Sequence, residues 1–382
     1  MDRIAADALA AARELSLDFA RVKAQLAKGY EKPFLILDTQ LVREKCRRFF
    51  AAMPRVRPHF AVKSNPDQRV LQVLKEEGVG FEIASIAELD QLLALGVPPA
   101  EIFYSNPMKS RAYVEYAVAK GVEWFVIDSV EELQKVHRAS PTAKTYLRIY
   151  TTNVGSDWPL SGKFGAYESE IRDIIAEAAR LGADLAGVTF HVGSQCLNPE
   201  NWKVGLETTR AVFDQMLAAG LKPRLVNIGG GYPVTHTKDI PTIAEIGAVV
   251  NAGLAAFGDE VQVIGEPGRY LVSDAGYFVC RVVGTATREG KRWVYFDAGM
   301  FGGIIETTEG LKYNILTDRS GPEIIWTVAG PTCDSLDICT RDQALPQDLV
   351  EDDFIYIKNA GAYTTAYAST FNGFPLPDVI IL

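Results

Sequence analysis

From about residue 58 to residue 270, short apolar runs alternate with longer stretches of helical spacing. The runs are HFAVKSN (59–65), GFEIAS (80–85), IFYSNP (102–107), WFVIDS (124–129), TYLRIY (145–150), LAGVTFHVGS (185–194), LVNIGGG (225–231) and VQVIGEPG (261–268). Each ends in polar or glycine residues, as a buried strand does where it meets a loop. Between them, RVLQVLKEEG, IAELDQLLALG, EELQKVHRA, EIRDIIAEAARLG, VGLETTRAVFDQMLAAG and IAEIGAVVNAGLAAF carry apolar residues on one helical face. Ser85 with Glu88, Ser129 with Glu132, and Thr242 with Glu245 have the spacing of capping boxes at helix starts. Gly78, Gly96, Gly121, Gly182 and Gly220 sit where those helices should stop.

Eight strand signals over about 210 residues predict an α/β fold, a (β/α)8 barrel of the usual size of roughly 250 residues. An open doubly wound sheet is the competing arrangement. After about residue 272 the pattern changes. VYFDAG, IIWTVAG and DFIYIKNAG read as strands separated by turns, without long helical segments, so a β-rich C-terminal domain is expected. FLILD (34–38) would join it before the chain enters the barrel. The predicted division is therefore a barrel over 39–272 and a β-rich domain from 1–38 and 273–382, with a helical segment over residues 1–32.

Composition narrows the function more than the fold. The 382 residues are 48% hydrophobic and 23% charged, as in an ordinary globular protein. A net charge of −9 argues against a nucleic-acid partner. Five scattered cysteines, Cys46, Cys196, Cys280, Cys333 and Cys339, with no CxxC pair, suit a reducing cytoplasm better than a disulfide framework or a zinc site; no metal is expected. Asp2, Asp7, Arg13 and Glu14 interrupt the apolar N-terminus, so it does not read as a secretory signal. No apolar run approaches the roughly 20 residues that span a bilayer.

In a barrel of this kind the active site lies at the C-terminal ends of the strands. That rule selects Lys63, Glu82, Arg148, His191, Ser194, the run Gly229–Gly231, Glu266, Gly268 and Arg269. A desolvated lysine is nucleophilic and can form an imine with a carbonyl; its bland alternative is an ammonium that reaches solvent. The glycine run could cradle an anion with its N–H groups, or simply make a tight turn. Arg269 could hold a phosphate with two donors. Glu266 could face a ring nitrogen or pair with Arg269 or a neighbour. His191 could stack on a planar ring, act as acid or base, or be a core histidine. The acidic neighbours of Cys333 in GPTCDSLD suit a proton donor better than a thiolate, against the alternative of a plain buried cysteine.

Taken together, AVKSN, GFEIAS, YSNPMK, LSGKFG, FHVGSQ, NIGGGYP, GEPGRYLV, GPTCDSLD and GAYTTAYASTFNGF resemble the ornithine/lysine/diaminopimelate/arginine decarboxylase family. These are fold-type III pyridoxal-phosphate enzymes with an alanine-racemase-like barrel. The motifs fall in the family's order from Pro33 to the end, and the last segments look most like its ornithine branch. The resemblance implies a cytoplasmic enzyme of polyamine biosynthesis that decarboxylates L-ornithine to putrescine, with lysine as a further substrate. It implies that Lys63 carries the cofactor and that Glu266 pairs with the ring nitrogen. Glu82 and Arg148 would be further cofactor contacts, and His191 would stack on the ring. Ser194, Gly230, Gly231, Gly268, Arg269 and Tyr363 would bind the phosphate. Cys333 would return a proton after carbon dioxide leaves, and Asp334 would hold the substrate's distal ammonium. Cys333, Asp334 and Phe371 would act at the partner's site in a head-to-tail homodimer, with Lys163 and Asp337 as an inter-subunit ion pair.

Two positions depart from the family pattern, the first conservatively and the second in a way that bears on the substrate. Glu82 stands where the ornithine branch usually has aspartate. Over 297–315 the family places a second substrate-binding acid, for which this chain offers Glu306 and Glu309 without the expected aspartate. The alternatives are a decarboxylase for lysine, arginine, diaminopimelate or a carboxylated polyamine, and a non-catalytic homologue acting as a regulator. Asp334 disfavours diaminopimelate, and Glu266 disfavours a racemase, which would place arginine opposite the ring nitrogen.

Overall fold

The structure, a computed structural model, describes residues 16–160 and 162–382. The helical reading of residues 1–15 and Ser161 of the LSGKFG segment lie outside them. The chain divides into two compact units. One comprises Lys45–Pro233 and Ile240–Gly268; the other comprises residues 16–44, Val234–Asp239 and Arg269–Leu382.

The first strand, β1 (Phe34–Leu37), belongs to the second unit. The barrel unit follows with β2 (Arg57–Ala61), β3 (Gly80–Ile83), β4 (Ile102–Tyr104), β5 (Trp124–Ile127) and β6 (Lys144–Arg148). After a short β7 (Ser156–Trp158) come β8 (Asp184–Thr189), β9 (Ser194–Cys196), β10 (Leu225–Asn227) and β11 (Gln262–Gly265). All eight predicted strand runs form one closed parallel barrel, in the order β10-β11-β2-β3-β4-β5-β6-β8, so the open sheet is excluded. Phe103, Trp124, Val126, Tyr146, Ala186, Leu225 and Ile264 pack together as a buried cluster. β7 and β9 pair as a separate antiparallel ribbon.

The helices form where apolar periodicity and caps agree. Ser85 and Thr242 make full capping boxes with Glu88 and Glu245 on the helices Ile86–Ala94 and Ile243–Leu254. The helix Glu168–Leu181 ends on Gly182 at φ 66°, a left-handed conformation that favours glycine. The third predicted box is only half made. Ser129 accepts from the Glu132 N–H, but the Glu132 carboxylate turns to Lys109 and Lys135 instead. A buried ammonium is a stronger partner for a carboxylate than a cap N–H.

In the second unit, β1 pairs antiparallel with β12 (Gly276–Arg288) and parallel with β18 (Asp378–Ile381). Between these lie β13 (Lys291–Phe296), β14 (Ile315–Thr317), β15 (Glu323–Ala329), β16 (Ile338–Pro346) and β17 (Phe354–Lys358). They complete an eight-stranded sheet, so the expected β-rich region exists and FLILD does join it. The helix Phe19–Leu26 packs there through Val22, beside Leu17, Phe34, Ile36, Tyr277, Val279 and Tyr356. Among the described residues no helix is long and apolar enough to cross a membrane. All five cysteines are free thiols.

Candidate active site

Ionisable side chains converge where the barrel strands end. β2 stops at Ala61 and runs into a short 3-10 turn, Val62–Ser64. Burial of Val62 and Ser64 aims the intervening Lys63 outward, so its side chain is 52% exposed. Its Nζ lies 3.3 Å from Oε1 of Glu82, on β3. Glu82 is buried, and its Oε2 has no hydrogen-bond partner. Burial pushes the Glu82 carboxyl up to about 7; the Lys63 ammonium pulls against this, and Glu266 and Glu88 add to it.

Glu266 follows β11 directly. Its Oε1 accepts from Ser105 Oγ at 2.6 Å and from Asn227 Nδ2 at 2.7 Å. The partner left open by the sequence is thus a pair of neutral donors. Arg148, the last residue of β6, is lowered by burial, against the pull of Glu266, Asp128 and Glu82. His191 lies just past β8. Its Nδ1 accepts the Gly193 N–H at 3.0 Å, which leaves the ring proton on Nε2. Burial, then Arg148 and Lys63, hold this imidazole well below its usual range, so it is a neutral ring rather than an acid. A cavity of about 200 Å³ is lined by Ser105, Val126, Arg148, Thr189, Phe190, His191 and Glu266.

The glycine run after β10 is required by close backbone approach. A Cβ at Gly229 would lie 2.2 Å from the Phe190 carbonyl oxygen, and one at Gly231 2.2 Å from that of Gly193. Both residues have positive φ. Among the described residues, the Gly230 and Gly231 N–H groups donate no hydrogen bond, so the turn is both tight and rich in available donors. Ser194 opens β9, and Gly268 packs against Ala61 and Ser64.

The remaining predicted residues lie in the second unit, in two groups. In the first, the Arg269 guanidinium grips both oxygens of Glu306, with Nη1 to Oε2 at 2.8 Å. Glu306 also accepts from Tyr313, and Arg269 stacks on the Tyr363 ring at 4.9 Å. Tyr363 holds a left-handed backbone at φ 57°, uncommon for a bulky residue. Burial would lower Arg269, but Glu306 outweighs it and holds the guanidinium above its usual value. Glu306, expected to receive a substrate ammonium, is enclosed by these partners. It is 2% exposed and both its oxygens are engaged. Glu309 is exposed on the turn Ile305–Glu309.

In the second group, Cys333 is exposed, and its N–H and Sγ both donate to Asn372 Oδ1 at 3.1 Å. Asp334 accepts from the Leu336 N–H at 2.9 Å. Phe371 is 41% exposed, with its ring 4.5 Å from Phe301. Asp337 is the residue expected in an inter-subunit ion pair with Lys163. It is 2% exposed and filled by its own unit: Met300 N–H at 2.8 Å, and the N–H and hydroxyl of Thr332 at 3.1 and 2.7 Å. Lys163 is exposed and lies over the Phe164 ring.

Sequence reasoning missed Ser105, Tyr146 and Asn227. The signal was present, since Ser105 and Asn227 stand at strand ends like Lys63, but both are uncharged.

Residues 39–273 match the family model described as pyridoxal-dependent decarboxylase, pyridoxal binding domain. The chain is 35% identical to an ornithine decarboxylase of Schizosaccharomyces pombe over 91% of its own length and 83% of that protein's. It is also 35% identical to Antizyme inhibitor 2 of Xenopus laevis, over 89% and 79%. Among solved structures, a lysine/ornithine decarboxylase of Vibrio vulnificus complexed with cadaverine superposes with a TM-score of 0.87 at 31% identity. That match covers 95% of this chain and 98% of that one.

Proposed function

The chain belongs to the pyridoxal-dependent decarboxylase family, and we propose that it decarboxylates L-ornithine to putrescine, with lysine as a second substrate. Pyridoxal 5'-phosphate is the cofactor, and three features of the barrel unit fit it. Glu82 Oε2 is buried without a partner. The Gly230 and Gly231 N–H groups are available to an anion. A neutral imidazole and a carboxylate held by neutral donors line one cavity.

When bound, the cofactor supplies the electron sink that lets a carboxylate leave as carbon dioxide. In this reading Lys63 carries it and Glu266 meets its ring nitrogen. His191 lies against its face, with Glu82 and Arg148 beside it. Ser194, Gly230, Gly231, Gly268, Arg269 and Tyr363 hold its phosphate, and Glu306 keeps the Arg269 guanidinium in place. Asp334 binds the distal ammonium, since a buried cation needs an opposing charge. Cys333 Sγ gives its proton to the substrate carbon that has lost the carboxylate, with Phe371 flanking. Exposure of Cys333, of Phe371 and of Leu336, 68% accessible, supports a homodimer in which this loop serves the partner's site. Five free thiols support a cytoplasmic setting.

The observation that carries the reading is the meeting of Lys63 with the partly unsatisfied Glu82 in the unit that holds Glu266. The test is a visible spectrum of the purified protein and amine release from ornithine, lysine, arginine and diaminopimelate. A cofactor band lost in Lys63→Ala, with putrescine as main product, is expected. Cadaverine as main product would move the specificity to lysine. The similarity to Antizyme inhibitor 2 favours a second, non-catalytic reading. No band and no amine from any substrate would support that one instead.

A further inference from the structure

Glu266 is placed by its neighbours with more constraint than an ordinary strand-end acid. Ser105 is the first residue after β4, and its N–H donates to the Ile83 carbonyl at 2.9 Å. The loop beyond it is fastened by Lys109. That fully buried ammonium donates to the carbonyls of Asn106 at 2.9 Å and Val126 at 2.7 Å and pairs with Glu132 at 2.8 Å. The Ser105 hydroxyl is therefore held at a set position, 2.6 Å from Glu266 Oε1.

Asn227 is equally constrained. Its Oδ1 accepts the Gly229 N–H at 2.9 Å, so its Nδ2 must be the group that faces Oε1 at 2.7 Å. A carboxylate only accepts, so the Ser105 proton points to Glu266. The Tyr146 hydroxyl, 2.7 Å from Ser105 Oγ, must then donate to Ser105. The chain of donors runs one way, from Tyr146 through Ser105 to Oε1. Oε1 thus takes two hydrogen bonds, while among the described residues Oε2 takes none, and Glu266 lines the cavity.

We propose that Ser105 is a positioning residue for the reaction: with Asn227 it locks Glu266 Oε1, so that Oε2 alone is presented to the cofactor's ring nitrogen. This rests on the reading of Glu266 as the ring-nitrogen partner. A merely structural serine would contribute to stability without affecting the electronic state of the bound cofactor. A positioning serine acts on that state through Glu266.

The test uses the full-length holoenzyme with Ser105→Ala, Ser105→Thr and, as a control on the underlying reading, Glu266→Gln. Three quantities are measured: the pH titration of the bound cofactor's visible band, the cofactor dissociation constant, and kcat with KM for ornithine. Ser105→Ala should lower kcat about tenfold to a hundredfold, the loss expected for one hydrogen bond to a charged group. It should move the band's titration and leave KM within about twofold. Ser105→Thr, which keeps the hydroxyl, should restore the band and most of kcat. If Ser105→Ala matches the parent in band and kcat while Glu266→Gln loses both, the proposal is overturned. If Glu266→Gln is also unchanged, the reading of Glu266 fails and the proposal falls with it. Should Ser105→Ala not fold, Tyr146→Phe is read in its place; an unmoved band there counts against the proposal, and a smaller shift in the same direction supports it.

Discussion

Glu82 should make the folded barrel less stable as pH rises, and Glu82→Gln should remove that dependence. The carboxyl is buried and raised from 4.5 to about 7, chiefly by desolvation. Between those values the folded chain holds a proton that the unfolded chain has released. Stability is therefore full below about 4.5, falls as pH rises through the window, and stays low above about 7. At 1.36 kcal/mol per pH unit the whole window amounts to about 3 kcal/mol. Lys63 limits the cost only in part, because its side chain is half exposed and screened by solvent. Glutamine cannot titrate, and any pH-independent cost of its amide cancels when two pH values are compared. Urea midpoints of cofactor-free protein between pH 5 and pH 8.5 should show the variant gaining on the parent by about 2 kcal/mol or more as pH rises. A constant offset across the series, or a gain at the acid end, would refute the argument that burial of this charge is costly. Adding cofactor should narrow the gap at high pH, since a partner for Oε2 offsets part of the desolvation.

Three further outcomes follow from buried acids with full partner sets. Lys109→Met leaves Glu132 buried with Lys135 as its remaining cation, and should cost about 3–5 kcal/mol in urea unfolding. A loss under about 1 kcal/mol would mean the site admits water. Glu306→Ala strips a buried carboxylate from Arg269 and should cost about 3–5 kcal/mol without altering the ratio of putrescine to cadaverine formed; a changed ratio at unchanged stability would return Glu306 to the substrate. Asp337→Ala removes the acceptor for Met300 and Thr332, so the Cys333 loop should loosen and the thiol should react faster with a disulfide reagent. Lys163→Ala should leave that reaction rate unchanged.

The barrel was legible because its strands are buried on both faces and read as continuous apolar runs, and because Ser85 and Thr242 mark helix starts by local chemistry. Ser129 shows where local reading stops. The sequence places Glu132 at the box position, but only the fold brings Lys109 from another loop to claim its carboxylate. Lys63, His191 and Glu266 were found by the rule that strand ends carry chemistry. The same rule reaches Ser105 and Asn227, which were passed over for lack of charge although each holds a charged neighbour in place. Glu306 and Asp337 were assigned from motif position, and each has a partner 37 residues away, Arg269 for Glu306 and Met300 for Asp337, that spacing could not connect to it.

What separates these acids is not burial but completeness of partnership. Glu132 and Glu306 each face cations, and Asp337 faces three donors from its own unit. Each is a closed local arrangement with little left to offer a ligand. Glu82 keeps one oxygen buried and unpartnered, and Glu266 has two donors on one oxygen and none, among the described residues, on the other. An unsatisfied buried carboxylate oxygen such as Glu82 Oε2 is costly, so a stable fold retains one where something else completes it. Both incomplete acids lie in the barrel unit with Lys63, at the C-terminal ends of its strands, where a ring nitrogen and a polar substituent of one planar cofactor would complete them together. Of the acids that the motifs singled out for substrate or partner contact in the second unit, Glu306 and Asp337 are already complete. Substrate choice is therefore expected to rest on acids outside those closed arrangements, with Asp334 the first to test.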